Sequence, residues 1–414
     1  MHRETYKSII NINYDRNMKN LSKKIFAALS AVAFCALMPS QAHAQITVVP
    51  ENDNFSLKLI GRTNMDFGSY LDKQDDESKP DNGVAVNDTR LGVTGKFLDK
   101  WDYKIELCFA YNSTAKATTI SFRDVFVKYN FNKTHHIQFG NVFMGYGMKP
   151  LGLAYKFIDD ATVDNTFCPS RKMGLVYLMT TDPFNFNGGI YSDGNIDNGN
   201  SKFDQGVILS SKAIYRPIIN ETTVLHFGAA AMYTNSPNTT SFSGVVPETF
   251  TTNGRTTFKG PTFGKANIDA DGNVVYTGNH YSRYEGEMIF IHKKFMFETH
   301  YQGASYEPTA SDDRYHVGGA LAQCSFLLIG EQQNYNKATG LCQNASPRNL
   351  EVLARYDYLD LNDGGHQQDV TVGLNYFFSK HFNMKLNYVY TDTDLLPAGG
   401  RCYNTVQVRA QFSF

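Results

Sequence analysis

Beyond Ala44 no stretch of this 414-residue chain holds 18 consecutive apolar residues, so no helix there is built to cross a bilayer. Helical periodicity is scarce as well. There is no basic excess: 39 Lys+Arg stand against 40 Asp+Glu, a net charge of −1, which argues against a nucleic-acid binder. Charged residues are only 19%, below the usual quarter or so, and 42% are hydrophobic, too few for a bundle of transmembrane helices. Neither G-x-S-x-G nor H-E-x-x-H occurs, and the cysteine spacings fit no zinc pattern. No catalytic residue, cofactor site or metal site is therefore expected. One Trp stands beside 30 Phe and 25 Tyr, and 13 Pro beside 33 Gly. The absences describe an ordinary soluble protein; the aromatic and glycine content resists that description.

The first forty-four residues read as an address. Residues 1–17 are polar and without period. From Met18, Lys19, Lys23 and Lys24 form a basic region, and Ile25 to Met38 a mostly apolar run too short to span a bilayer comfortably. Ala42-His43-Ala44 before Gln45 fits the small-x-small rule of signal peptidase. The expectation is a secretory signal peptide over 1–44, translated from Met18 and cut after Ala44; the alternative is an N-terminal anchor. The leader holds 6 Lys+Arg and 2 Asp+Glu, leaving 33 and 38 in 45–414, a net of −5. Five cysteines remain there, Cys108, Cys168, Cys324, Cys342 and Cys402. The odd number leaves at least one unpaired, with one or two bridges at most.

What recurs after Ala44 is alternation, apolar then polar, over about ten residues followed by a turn: the period-2 mark of a sheet with two unlike faces. Trp101, Tyr103, Ile105, Leu107 and Phe109 share one face, opposite Asp102, Lys104, Glu106, Cys108 and Ala110. Val406, Val408, Ala410, Phe412 and Phe414 oppose Gln407, Arg409, Gln411 and Ser413. A soluble sandwich also alternates. Here, however, the runs are longer than the usual five or six residues and match the roughly ten that cross a bilayer at a tilt. Aromatics gather at their ends, as in interfacial girdles. The chain also stops on Phe412-x-Phe414 in apolar phase, the familiar outer-membrane assembly signal, which implies the barrel-assembly machinery as a partner.

The pattern predicts an all-β protein: a transmembrane antiparallel β-barrel of about 16 strands, occupying 45–414 as one domain. The strands fall at 56–66, 89–98, 101–111, 120–131, 135–143, 173–180, 186–191, 205–215, 222–233, 281–290, 293–306, 314–332, 349–358, 369–378, 382–391 and 402–414. Short turns follow even-numbered strands and long segments (67–88, 143–172, 234–280) follow odd ones, the asymmetry of periplasmic turns and external loops. Segment 333–348 is the exception, rather long for a periplasmic turn. Sixteen strands enclose a lumen too wide for side chains alone to fill, hence a water channel.

Particular residues also resemble a known family. Thr89-Arg90-Leu91-Gly92-Val93-Thr94-Gly95-Lys96-Phe97, Trp101 to Leu107, Phe122-Arg123-Asp124-Val125-Phe126-Val127-Lys128-Tyr129, Gly140 leading to Lys149-Pro150, Arg171-Lys172-Met173-Gly174, and Leu350 to Asn362 followed by Val372 to Tyr376 are similar to the phosphate-selective porin O and P family. The likeness covers most of 56–414 and is patchy across 234–280. It implies a sixteen-stranded homotrimeric porin in a Gram-negative outer membrane, with a loop folded into the lumen.

The expected activity is passive diffusion of small hydrophilic solutes or ions. Basic candidates for the pore wall are Arg62, Arg90, Lys96, Lys104, Arg123, Arg355 and Arg409, interleaved with Asp66, Asp102, Glu106, Asp124, Glu351 and Asp357. Rings of Arg or Lys would favour anions such as phosphate; mutually neutralised charges on a wet wall are the competing reading. Segment 143–172 is the candidate constriction loop, carrying Lys149, Lys156, Asp159, Asp160 and Asp164. An ordinary external loop is its alternative. Segment 234–280, dominated by Thr, Asn, Gly and Ser, reads as exposed surface. Competing functions are uptake of specific or hydrophobic substrates, and an adhesin displaying its loops. A mostly charged lumen counts against a hydrophobic substrate.

Overall fold

Alternation of polar and apolar residues becomes, in a computed structural model of the protein, a sheet whose inner face is polar and whose outer face is greasy. The structure describes residues 46–49, 55–71, 82–112, 117–149, 156–169, 171–193, 206–235, 252–253, 262–263, 280–307, 315–394 and 401–414. The leader, and nearly all of segment 234–280, lie outside the described residues.

Sixteen long strands form the wall. They are β1 Leu57–Tyr70, β2 Gly83–Phe97, β3 Trp101–Asn112, β4 Ala117–Asn130, β5 His135–Phe143, β6 Arg171–Thr180, β7 Phe184–Ser192 and β8 Val207–Ile219. Then follow β9 Thr223–Asn235, β10 His280–His292, β11 Phe295–Glu307, β12 Tyr315–Ile329, β13 Asn349–Asp360, β14 His366–Phe377, β15 Phe382–Thr393 and β16 Arg401–Ser413. Each pairs antiparallel with its sequence neighbours, and β16 returns to β1 from Arg62↔Ser413 to Tyr70↔Thr405. The barrel is closed, so no strand edge is left unpaired. All sixteen predicted strands are present, and 314–332 is one strand. Most run further outward than predicted, because pairing continues beyond the apolar band that betrays a strand in sequence.

On β8 the burial pattern is strict: Ile208, Ser210, Lys212, Ile214 and Arg216 are buried, while Val207, Leu209 and Tyr215 are exposed. Exposed apolar side chains facing lipid and buried Lys and Arg facing the lumen invert the rule for soluble proteins. Rings cluster at the short-turn end: Phe97 stacks on Trp101 at 5.6 Å, Trp101 meets Tyr129 at 4.9 Å, Phe184 meets Tyr215 at 4.9 Å and Phe378 meets Phe382 at 5.1 Å.

Of the bulges in the wall, two bring charged residues into the lumen. Between β1 and β2 the register slips after Arg62↔Arg90, and Asp88 takes φ 50°. Between β3 and β4 it slips from Ile105↔Val125 to Leu107↔Phe122, so that Arg123 and its neighbour Asp124 both turn toward the lumen. Gly140 accommodates the close approach of β4 to β5. Its φ is +142°, and a Cβ there would lie 2.2 Å from the carbonyl oxygen of Val125.

The long connection after β12 does not hang into the periplasm. It forms a hairpin, Asn334–Asn336 against Leu341–Gln343, folded up into the barrel. Its Leu341 and Cys342 pack with Val224, Ile289, Ile291 and Met296 from the wall and with Met148 from the loop after β5. All five described cysteines are free thiols, so the bridges left open by the sequence do not form among them.

Candidate transport path

The connection after β5 enters the lumen rather than leaving it. Its helix α1, Thr162–Phe167, is nearly all buried. Bond by bond the loop crosses the barrel. Ser210 donates to the carbonyl of Gly145 at 3.1 Å, and Lys212 to that of Gly147 at 2.7 Å. Lys156 pairs with Glu351 on β13 at 2.7 Å and donates to Gln333 of the periplasmic hairpin at 3.0 Å. Arg355 and Arg409 donate to the carbonyls of Asp159 and Ile158, and Gln407 donates to the Asp159 carboxylate at 2.7 Å. Thr162 bonds Asp357 and Asp369. Asp164 accepts from Gln302 on β11 at 2.8 Å, and Arg283 on β10 donates to the carbonyl of Phe167.

The loop is thus fastened to β8 and to β10–β16. Of the five loop residues read as a charged constriction, Lys156 and Asp164 are buried anchors and Asp159 is half-buried against Gln407 and Arg355. Lys149 and Asp160, paired with each other at 2.7 Å, keep moderate exposure of 21% and 15%. No residue pattern separates an anchoring lysine from a solute-facing one; the partner strands are about 200 positions away.

The helix anchor has a pH signature. Burial alone would raise the Asp164 carboxyl, but His300 at 3.2 Å outweighs it and holds the group down at about 2. A depressed carboxyl stabilises the folded form above its ordinary value of 3.8 and loses that contribution as pH falls toward 2. The loop should therefore hold from neutral pH down to about 4 and loosen between about 4 and 2. Single-channel recordings should show conductance noise rising in that window. Asp164→Asn should show the noise already at pH 7 and remove its pH dependence.

Opposite the fastened wall lies a row of alternating charges. Arg62 pairs with Asp88, Asp88 with Arg90 at 2.5 Å, and Arg90 with Glu106 at 3.1 Å. Glu106 pairs with Lys104 at 3.4 Å, Lys104 with Asp124 at 2.6 Å, and Asp124 with Arg171. These four cations and three carboxylates come from β1, β2, β3, β4 and β6. Lys128 pairs with Asp102 at 2.8 Å toward the short-turn end, and Arg123 donates to the Cys108 sulfur. Arg409 instead grips Asp66 with two bonds of 2.7 and 2.9 Å beside the lumen loop. The structure therefore divides the wall candidates. Arg62, Arg90, Lys104 and Glu106 join the row; Arg355 and Arg409 serve the loop. Asp88 and Arg171 complete the row and were not singled out. Asp88 sits in a bulge ahead of the predicted strand, and Arg171 just before another, where alternation gives no sign.

Residues 57–414 match the family model of the phosphate-selective porin O and P proteins, and the chain belongs to that family. It is an outer-membrane porin, a β-barrel channel for small solutes or ions. Among solved structures it is similar to an anion-selective porin from Comamonas acidovorans, at 12% identity and TM-score 0.54 over 87% of this chain and 100% of that one. OmpT, an outer membrane protein of Vibrio cholerae in its trimer form, gives the same identity, TM-score and coverage. OprB of Pseudomonas putida follows at 9% identity and TM-score 0.50, over 87% of this chain and 94% of that one. At such identities the likeness is one of fold. No curated protein matches the chain.

Proposed function

We propose that solutes pass along the charged row of β1–β6 and that anions, phosphate among them, pass more readily than cations. The observation that carries this is the row itself, four cations paired with three carboxylates along β1–β6. The excess is one charge, so the preference is modest, and 45–414 as a whole is acidic. Planar-bilayer recording in a KCl gradient tests it. The expected result is stepwise conductance with a reversal potential on the chloride side, and chloride current reduced by added phosphate. A reversal potential on the potassium side would sink the anion reading. Absence of steps would sink the channel.

The protein acts here without covalent chemistry or cofactor. The same reading takes 1–44 as a leader removed before Gln45, and three copies as the working assembly. Phe414 is the contact for barrel assembly. Its backbone exchanges bonds of 3.0 and 3.1 Å with Gly61, and its ring covers that glycine.

A further inference from the structure

The lumen side of β8 can be read downward from its outer end. Ile208 borders a cavity of about 360 Å³. Below it Ser210 bonds Gly145, and Lys212 joins Gly147 to Glu287 at 2.6 Å. Next, Ile214 lies beside Gly340 of the periplasmic hairpin. Last, Arg216 donates to the Tyr335 hydroxyl, to Asn185 and to the carbonyls of Thr181, Asp182 and Lys337. His226 and Tyr335 bond at 3.0 Å across the same level. Every inward position of β8 from Ser210 to Arg216 is met by the lumen loop or by the hairpin. Along β8 the cavity is closed toward the periplasm, and none of its lining residues belongs to the charged row.

Its lining is of two kinds. Met144, Ile208 and Met232, all nearly fully buried, and the ring of Tyr281 form an apolar floor and side. Lys172 and Arg283 supply two cations against the single carboxylate of Asp193, whose oxygen accepts from the Gly206 amide at 2.6 Å. Arg283 is held 5.1 Å over the Tyr281 ring, in a fixed pose. The Cys168 thiol adds no negative charge, because burial, with Asp164 and Glu285 nearby, holds it well above its ordinary value. Thr234, between Ile208 and Tyr281 in the sheet, keeps a buried hydroxyl with no hydrogen-bond partner. The volume is at the small end for ligand pockets, and the mix of apolar surface with a few convergent polar groups is what such pockets have.

We infer that this cavity is a docking site for a small organic anion, a carboxylate carrying an apolar group, taken up at the outer mouth beside the conducting path. Only the side of entry rests on the porin reading; binding itself does not. The carboxylate would lie toward Lys172 and Arg283, and the apolar group against Met144, Met232 and Ile208. A fully hydrated inorganic ion leaves that floor unused, so the ligand class differs from the ions conducted by the charged row.

Saturation-transfer NMR of benzoate with the folded protein in detergent tests this, with conductance steps recorded from the same preparation. Benzoate should bind and give a saturation-transfer signal at its ring protons, and benzyl alcohol, the neutral counterpart, should bind at least tenfold more weakly. Met232→Trp, which fills the floor, and Arg283→Gln, which removes a cation, should each weaken benzoate binding at least tenfold. Heat-modified mobility on gels confirms a folded barrel. If Met232→Trp does not fold, Arg283→Gln and the alcohol comparison still decide. Equal binding of the alcohol, binding unchanged in the folded variants, or equimolar displacement by inorganic phosphate would overturn the assignment. A preparation that conducts but does not bind benzoate rejects the docking site alone. One that binds benzoate without conducting rejects the channel and leaves the site.

Discussion

Glu351→Ala is expected to free the lumen loop and to give a larger, noisier single-channel conductance while the barrel stays closed. Glu351 is a junction of three elements. Its carboxylate takes Lys156 of the loop at 2.7 Å, Gln333 of the periplasmic hairpin at 3.1 Å and Asn375 of β14 at 3.3 Å. Neither Lys156 nor Glu351 sees appreciable solvent, at 4% and 0% exposure. Removing one member of a buried pair strands the other charge, at a cost of about 3–5 kcal/mol. The wall does not share that loss, because its strands are held by a closed backbone ladder. The double change Lys156→Met with Glu351→Leu should recover much of the quiet state, since apolar replacement of a buried pair is often neutral. A Glu351→Ala channel with native conductance and noise would show that the loop does not depend on this junction.

Reversing one rung of the charged row should invert selectivity. Lys104 lies between Glu106 and Asp124 with 22% of its side chain exposed. Lys104→Glu turns four cations against three carboxylates into three against four. The reversal potential in a KCl gradient should move to the potassium side, and Lys104→Gln should move it part of the way. Screening sets the size: the shift should be clear near 0.1 M salt, where the Debye length is about 10 Å, and small near 1 M, where it is about 3 Å. Lys337→Glu makes the control, since Lys337 is 53% exposed on the periplasmic hairpin and pairs with Asp182, which is no member of the row. If Lys104→Glu moves the potential no more than Lys337→Glu does, the row does not line the conducting path.

Much of the wall was legible in the residues. Period-2 alternation located all sixteen strands, and the short and long connections gave the sidedness. The lumen was less so. The connection after β12 stood out only by its length, and nothing in Asn334 to Gln343 says that it folds inward. That follows from Leu341 and Cys342 finding Met148, Ile291 and Met296, which belong to three other elements. Lys149 and Lys156 look alike in one loop, yet one keeps some exposure and the other is sealed against Glu351. Of the row's charges, Arg62, Arg90, Lys104, Glu106 and Asp124 were visible in the sequence, and Asp88 and Arg171 were not. Arg90, Lys104 and Glu106 lie on regular strands, whereas Asp88 and Asp124 reach the lumen through bulges.

What the sequence by itself determined is local and repetitive: alternating strands of bilayer-crossing length, aromatic ends, polar turns and a terminal aromatic strand. Lipid outside and water inside impose those features on each strand separately, so each strand carries its own evidence. Tertiary structure alone decided what fills the barrel: which charges face the path, which fasten the loop, and that the cavity at the outer end of β8 is closed beneath by the loop and the hairpin. Those outcomes depend on pairings between residues as many as 343 positions apart, set by register, by bulges and by where a buried charge finds its partner.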